Sequence, residues 1–189
     1  MKSDILIVGV GGQGTLLTSR ILGNMALKVD SDVKVSEVHG MAQRGGSVVT
    51  HVRIDEKVAS PLISIGGADV ILAFEELEAL RWVDYLKPEG ILIINAQKIM
   101  PMPVVMGVAQ YPDDIAGKLK EKNAQAIFID AMEIAQKIGN LRVFNSVLMG
   151  ALAKRMPGTQ QDWLDVLLAG VPPRTVDANQ EAFLAGYAF

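Results

Sequence analysis

The chain contains no cysteine. Disulfides, thiol nucleophiles and thiolate-ligated iron–sulfur clusters are thereby excluded from it. Aromatic residues make up only 5% of the sequence, which argues against the stacking platforms that hold unpaired bases. Positive charge is also scarce: 18 Lys and Arg face 21 Asp and Glu, for a net charge of −3 and a pI near 5.4. A general nucleic-acid binder carries a basic surplus, so no nucleic acid is expected among the partners. The two histidines, His39 and His51, lie twelve residues apart without a local carboxylate set, a poor basis for a metal site. Hydrophobic runs are short. The longest uncharged stretches, Ile5 to Ser19 and Ile99 to Pro112, hold four glycines and three prolines respectively. Both fall below the roughly 18–20 apolar residues of a spanning helix, so no membrane contact is expected. The N-terminus enters a strand pattern directly, with no signal-peptide layout, and a cytoplasmic protein is the expectation.

What remains is ample for one packed core: 189 residues, half of them apolar. No internal repeat, low-complexity stretch or linker divides the chain. The expected organisation is one domain over residues 1–189, with an α/β core over about residues 1–140 and a helical tail over about 145–189. Asp4 to Gly9 is a continuous apolar run ending in glycine, the pattern of a strand buried on both faces. In Thr15 to Leu27, Leu17, Ile21 and Met25 recur at helical spacing. Val33 to Val38, Ser47 to Ile54, Val70 to Phe74, Gly90 to Asn95 and Ala126 to Asp130 are further strands. Glu75 to Leu86 is a helix stopped by Lys87-Pro88-Glu89-Gly90, with acids at its positive N-terminal end. Pro101 and Pro103 confine any strand in Met100 to Met106 to a sheet edge. Asp113 to Lys122 and Met132 to Ile138 are helices, the second closed by Gly139. From Asn145 the pattern is helical only. Asn145 to Met156 and Thr175 to Ala185 flank a helix opened by Thr159-Gln160-Gln161-Asp162, which resembles a capping box. Alternating strands and helices predict a Rossmann-like, mostly parallel sheet with helices on both faces and a helical C-terminal region.

Gly9, Gly11 and Gly14 satisfy G-x-G-x-x-G between the first strand and the first helix. In that context the first glycine permits a tight turn, the second lets backbone approach a pyrophosphate, and the third lets helix and strand pack closely. The helix N-terminus then offers free N–H groups to an anion. No lysine follows Gly14, so the loop is not of the Walker type. The same glycines also suit a plain strand-to-helix turn. Glu37 stands where a ribose-binding acid would stand, about 20 residues beyond the turn. It equally suits an ion pair with Arg44 or Arg53.

The second motif is Glu37-Val38-His39-Gly40-Met41-Ala42-Gln43-Arg44-Gly45-Gly46-Ser47-Val48. No acid occurs between Glu37 and Asp55, whereas Arg44, Arg53 and both histidines fall in that window. Arg44 beside Gly45 and Gly46 can present a planar fork to a phosphate or carboxylate with little steric cover. The loop follows the second strand, which predicts a position at the carboxyl edge of the sheet beside the first glycine loop. A structural loop with Arg44 in a surface ion pair is the other reading.

Val8-Gly9-Val10-Gly11-Gly12-Gln13-Gly14 together with the Glu37 to Val48 segment resembles the gamma subunit or gamma domain of 2-oxoacid ferredoxin oxidoreductases. The His-Gly-Met-x-Gln-Arg-Gly-Gly-Ser version of the second loop is similar to the small subunit of the indolepyruvate branch. The resemblance covers about Asp4 to Met156. It implies an enzyme that oxidatively decarboxylates a 2-oxoacid to an acyl-CoA with ferredoxin as electron acceptor. Thiamine diphosphate, Mg and iron–sulfur clusters are then expected on a large partner subunit, which agrees with the missing cysteine. This chain is expected to contribute coenzyme A contact and assembly, and to be inactive alone. The resemblance makes Gly11, Gly12, Gln13 and Gly14, with Gly9 before them and Arg44, Gly45 and Gly46 opposite, an edge for the CoA phosphates or the 2-oxoacid carboxylate, Gln13 adding its side-chain amide. No residue is assigned as acid, base or nucleophile, because the cofactor carries the hard chemistry. A stand-alone NAD(P)- or FAD-dependent enzyme and a nucleotide-binding interaction module remain open. The high mean hydropathy of +0.28 suits an obligate partner. The apolar tail residues Trp163, Leu164, Val166, Leu167, Leu168, Phe183, Leu184, Tyr187 and Phe189 are divided between core and interface.

Overall fold

A computed structural model describes residues 1–40, 45–122 and 124–189. Among these residues six strands form one sheet: β1 (Ser3–Val10), β2 (Asp32–His39), β3 (Ser47–Asp55), β4 (Ala68–Ala73), β5 (Leu86–Asn95) and β6 (Gln125–Ile129). Their order is β2-β3-β1-β4-β5-β6. β1, β4, β5 and β6 run parallel, and β3 is antiparallel to both β1 and β2. The sheet is therefore mixed and mostly parallel. Because β1 and β2 are both antiparallel to β3, their carboxyl ends lie at the same edge.

Among the described residues eight helices accompany the sheet: α1 (Thr15–Lys28), α2 (Glu76–Trp82), α3 (Met102–Val105), α4 (Ile115–Glu121), α5 (Ala131–Ile138), α6 (Phe144–Ala153), α7 (Gln160–Ala169) and α8 (Val176–Tyr187). The strands' period of two divides their apolar residues between two cores. Ile5, Ile7, Val70, Leu72 and Ile93 face α1, α5 and the tail helices. Leu6, Val8, Ile71, Leu92 and Ile94 face α2 and α4 through Leu77, Ile115 and Leu119. In the tail, Trp163, Leu164, Leu167 and Phe183 are buried, and Val166, Leu168 and Tyr187 pack half-buried against them. Leu184 and Phe189 are exposed. The capping box expected at Thr159 forms, with Thr159 Oγ1 accepting from Asp162 N at 3.1 Å and Thr159 N donating to Asp162 Oδ2 at 3.2 Å.

Three local expectations are corrected. The helix after β4 stops at Trp82, passes through a 3-10 turn over Val83–Tyr85, and hands over to β5 at Leu86. β5 thus begins four residues before Gly90. Pro88 is tolerated there because the pairing with β4 shifts register between Ala68 and Val70, and β6 joins only from Ile91. Met100 to Met106 holds no strand but the single-turn helix α3, since Pro101 at its N-cap and Pro103 in its first turn lose no helical hydrogen bond.

Candidate functional site

The two glycine motifs meet. Gly11 N donates to Gly46 O at 2.9 Å, joining the loop after β1 to the hairpin loop between β2 and β3 at the carboxyl edge. Gly40 N donates to Ser47 O at 3.0 Å and closes the base of that hairpin. Gly45 has φ +81°, and a Cβ there would meet nothing within 4 Å, so its backbone lies open. Met41 to Arg44, Arg44 of the expected edge among them, fall outside the described residues.

Each glycine of the first loop has its own reason. Gly9 belongs to β1, so it is not the turn residue: a Cβ there would stand 2.9 Å from Gln13 Oε1 and 3.0 Å from Phe74 Cβ. Its missing side chain makes room for the Gln13 amide. The left-handed conformations fall instead on Gly12 (φ +100°) and Gly14 (φ +91°). Gly14 is the N-cap of α1 and brings no side chain to the cap, and no acid stands in the first turn. The first N–H groups of α1 are left to an outside acceptor.

Gln13 is turned inward. Its Oε1 accepts from Val10 N at 2.7 Å, and its Nε2 donates to Phe74 O at 2.9 Å and to Gln97 Oε1 at 3.1 Å. The acceptor and both amide protons are thus committed, and only 9% of the residue is exposed. Instead of reaching for a ligand, Gln13 ties its loop to the ends of β4 and β5. Asn95 completes the knot: its Nδ2 donates to Phe74 O at 3.2 Å and to Gln97 Oε1 at 3.1 Å, and its Oδ1 accepts from Ala131 N at 3.2 Å. Sequence reasoning missed Asn95 and Gln97. The signal was a lone polar residue ending the apolar run of β5 at the edge where α/β sheets bind ligands.

Acidic groups gather next to this knot, at the start of α2. The buried Glu75 caps α2 by accepting from Glu78 N at 2.9 Å, and it also accepts from Ile99 N at 3.0 Å and Tyr111 Oη at 2.5 Å. Burial first, and then the Glu75 carboxylate, push the Tyr111 hydroxyl far above its usual range, so it stays a donor. The buried Glu78 accepts from Ser47 Oγ at 2.5 Å and Arg81 Nη1 at 2.6 Å, linking α2 to the foot of β3. Burial raises the Glu76 carboxyl, with Lys98 3.8 Å away acting against it. Glu75 and Glu78 are each spent on internal donors, so they serve the frame.

Glu37 accepts from Thr50 Oγ1 at 2.7 Å and stands 2.6 Å from His39 Nε2. Arg53 does not pair with it, because Asp4 on neighbouring β1 takes the Arg53 Nε at 2.8 Å. His51 is buried, its Nδ1 accepts from Ile63 N at 3.1 Å, and burial lowers its proton affinity. Among the described residues no group of three or more His, Asp or Glu side chains is disposed to hold a metal ion.

Comparison with known proteins places this geometry. A family model described as pyruvate ferredoxin/flavodoxin oxidoreductase matches residues 4–189. Indolepyruvate oxidoreductase subunit IorB of Thermococcus kodakarensis is 43% identical over 188 residues, 97% of this chain and 93% of that one. The gamma subunit of a keto/oxoacid ferredoxin oxidoreductase from Geobacter sulfurreducens superposes with a TM-score of 0.72 at 22% identity, over 98% of this chain and 96% of that chain. A 2-oxoglutarate:ferredoxin oxidoreductase from Magnetococcus marinus, solved with 2-oxoglutarate, coenzyme A and succinyl-CoA bound, superposes with a TM-score of 0.75 at 20% identity, over 99% of this chain and 30% of that chain. The two solved structures are alike in fold.

Proposed function

The chain belongs to the pyruvate ferredoxin/flavodoxin oxidoreductase family, and from that premise we propose that it is the small subunit of an enzyme converting an arylpyruvate, indolepyruvate first, to the aryl-acetyl-CoA with ferredoxin as electron acceptor. The full-length likeness to an indolepyruvate oxidoreductase subunit supports the subunit role. With no cysteine to ligate a cluster, this chain leaves the iron–sulfur groups, thiamine diphosphate and Mg to a large partner subunit. On that partner, thiamine diphosphate supplies the carbon chemistry and the clusters carry electrons towards ferredoxin. No helix among the described residues is long and apolar enough to cross a membrane, and the proposed setting is the cytoplasm.

This chain's own contribution is a binding edge, and the hydrogen bond from Gly11 N to Gly46 O carries the reading. It brings Gly11, Gly12 and Gly14 against Gly45 and Gly46, beside the uncapped N-terminus of α1. Backbone N–H groups and the Arg44 guanidinium there receive the CoA phosphates or the 2-oxoacid carboxylate. Gly9 and Gln13 hold the loop in shape from within. Glu37, on which ribose recognition by a stand-alone NAD(P) enzyme would depend, is engaged by Thr50 and His39 instead.

Anaerobic affinity purification of the chain from its native cells, with mass spectrometry of what accompanies it, tests the subunit reading. A stoichiometric large partner bearing cysteine-rich cluster motifs and a thiamine site is the expected result, and a chain recovered alone as a stable homo-oligomer overturns it. Within the holoenzyme, Arg44→Ala is expected to raise KM for CoA about tenfold, the worth of one charge-assisted contact. An unchanged KM with an intact complex removes Arg44 from the edge.

A further inference from the structure

The carboxyl ends of β1 and β4 frame a crevice. The two strands are parallel neighbours, but the helices that follow them leave for opposite faces. α1 packs through Ile21, Leu22 and Met25 into one core, and α2 through Leu77 and Ala79 into the other. Such a reversal is where open α/β sheets take their ligands. Gln97 stands here. Its Oε1 meets the Gln13 amide, which bridges from the loop after β1 to Phe74 O at the end of β4. Its main-chain O accepts from Glu76 N at 3.0 Å, at the start of α2, and its N donates to Asn95 O at 2.7 Å.

Main-chain groups fix which way the Gln97 side-chain amide faces, because their roles as donor or acceptor cannot be exchanged. Val10 N is a donor, so the Gln13 atom 2.7 Å from it is Oε1, and Gln13 Nε2 lies on the other side. Ala131 N is a donor, so the Asn95 atom 3.2 Å from it is Oδ1, and Asn95 Nδ2 lies on the other side. Both amide nitrogens stand 3.1 Å from one Gln97 atom. Two donors require an acceptor, so that atom is Oε1. Gln97 Nε2 therefore turns away from the knot. It has no acceptor among the described residues, yet it is not one of the unpartnered atoms sealed inside the protein. A half-buried amide with its oxygen anchored twice thus keeps two unspent N–H bonds open to the outside.

The charge around Gln97 selects the acceptor. Glu75 and Glu76 open α2 beside it, and Lys98 answers Glu76 from 3.8 Å. A phosphate or carboxylate brought to the Gln97 amide would meet this pair of acids, whereas an uncharged carbonyl oxygen would not. Across the crevice, none of residues 9–14 and 45–46 is acidic.

We propose that Gln97 is a binding residue for coenzyme A, its Nε2 donating to an uncharged amide carbonyl in the arm that joins the CoA phosphates to the thiol. The proposal rests on the reading of the glycine edge as the phosphate end of a CoA site, and it adds the course of the rest of the ligand. The phosphates lie at the acid-free glycines, and the arm crosses the crevice towards α2. The knot of Gln13 and Asn95 then does more than hold a loop, since it sets the direction of the amide that meets the arm.

The test compares Gln97→Glu with Gln97→Leu in the holoenzyme. Glutamate keeps an oxygen acceptor for Gln13 and Asn95 but loses the outward N–H groups, whereas leucine loses both. Gln97→Glu is expected to raise KM for CoA about tenfold, as much as leucine does, with kcat, KM for the 2-oxoacid and the melting temperature unchanged. Inhibition by adenosine 3′,5′-bisphosphate, which has phosphates but no arm, should be unchanged in Gln97→Glu and weakened in Arg44→Ala. A parental KM for CoA in Gln97→Glu, with the loss confined to leucine, makes Gln97 part of the frame and overturns the proposal. A rise in KM for the 2-oxoacid in place of CoA overturns it as well. If KM for CoA responds to Arg44→Ala but not to Gln97→Glu, the inference fails and the edge stands; if it responds to neither, both fail. Should the glutamate variant not assemble, Gln97→Leu decides: a raised KM for CoA with unchanged inhibition by the bisphosphate supports the arm contact, and equal weakening of both overturns it.

Discussion

Glycine does different work at the two ends of this molecule. At the carboxyl edge of the sheet it provides conformation and bare backbone: Gly12, Gly14 and Gly45 all have positive φ, and a Cβ on Gly12 or Gly45 would meet nothing within 4 Å. In the helical tail it provides proximity. α6 and α8 cross with Gly150 against Gly186. A Cβ on Gly186 would lie 1.8 Å from Val147 O, and one on Gly150 would lie 2.1 Å from Phe183 O. Both tail glycines sit in ordinary helix, where glycine costs about 1 kcal/mol against alanine. The crossing offsets that cost by letting two backbones touch, which places the α6 N-terminus, and with it Asn145, beside α1. The edge is built to be reached by something, whereas the α6–α8 crossing is built to let nothing in.

Alanine substitution separates the two uses, and the tail should respond most. Gly186→Ala drives a methyl group into the backbone of Val147, which no rotamer can relieve, so α6 and α8 must part. The expected loss is about 3 kcal/mol or more, the upper range for overpacked sites. For a chain of this size that lowers the melting temperature by roughly 6–12 °C, readable by circular dichroism. A drop of a degree or two would mean that the crossing is looser than its geometry and that the contrast with the edge is false.

Gln13→Ala tests the inner side of the edge. It leaves the buried Val10 N–H without its acceptor and takes one donor from Phe74 O, which keeps Asn95. A cost of about 1–3 kcal/mol is expected for the orphaned donor. Gly9→Ala should act through the same amide, since the new methyl displaces Gln13 Oε1. Combining the two is therefore expected to cost less than the sum of each alone, a coupling that a double-mutant cycle by thermal denaturation measures. Strict additivity would separate Gly9 from Gln13. Gly12→Ala, by contrast, meets only the left-handed penalty of about 1–2 kcal/mol, with no clash. Its larger effect should be on KM for CoA in the holoenzyme.

Much of this architecture is legible in the sequence because the signals are local. Apolar runs and helical spacing reveal β1 and α1, Gly139 ends α5 in a left-handed residue, and Thr159 and Asp162 form the box their spacing suggests. The meeting of the two glycine loops follows from a general rule about carboxyl edges. The antiparallel course of β3 does not, because alternation reads the same in either direction. The inward turn of Gln13 is invisible as well: its partner carbonyl, on Phe74, lies 61 residues along the chain. A glycine inside a helix, such as Gly150 or Gly186, shows its propensity cost but not what approaches it. Asn145 reads as one more residue in a helical run until the fold sets it over Gly14.

The smallest expected effect concerns how the tail is fastened to α1 from outside. Lys28, at the end of α1, stands 2.7 Å from Asp162 Oδ1 in the capping box of α7. The Lys28 contact first, and then the Thr159 hydroxyl and backbone, hold the Asp162 carboxyl down to about 2, below its ordinary 3.8. A carboxyl with a lowered folded value binds fewer protons in the native state than in the unfolded one, so its contribution is complete above the ordinary value and drains away as pH falls towards 2. The pair is solvent-exposed, so the gain is modest and screened by salt. Asp162→Asn should thus melt slightly below the parent at pH 5, with the gap closing as the pH approaches 2 and narrowing at high ionic strength. A gap that persists unchanged at pH 2 would assign the effect to the shape of the cap instead of its charge. The tail would then be held to α1 by packing alone, as it is held to itself at Gly150 and Gly186.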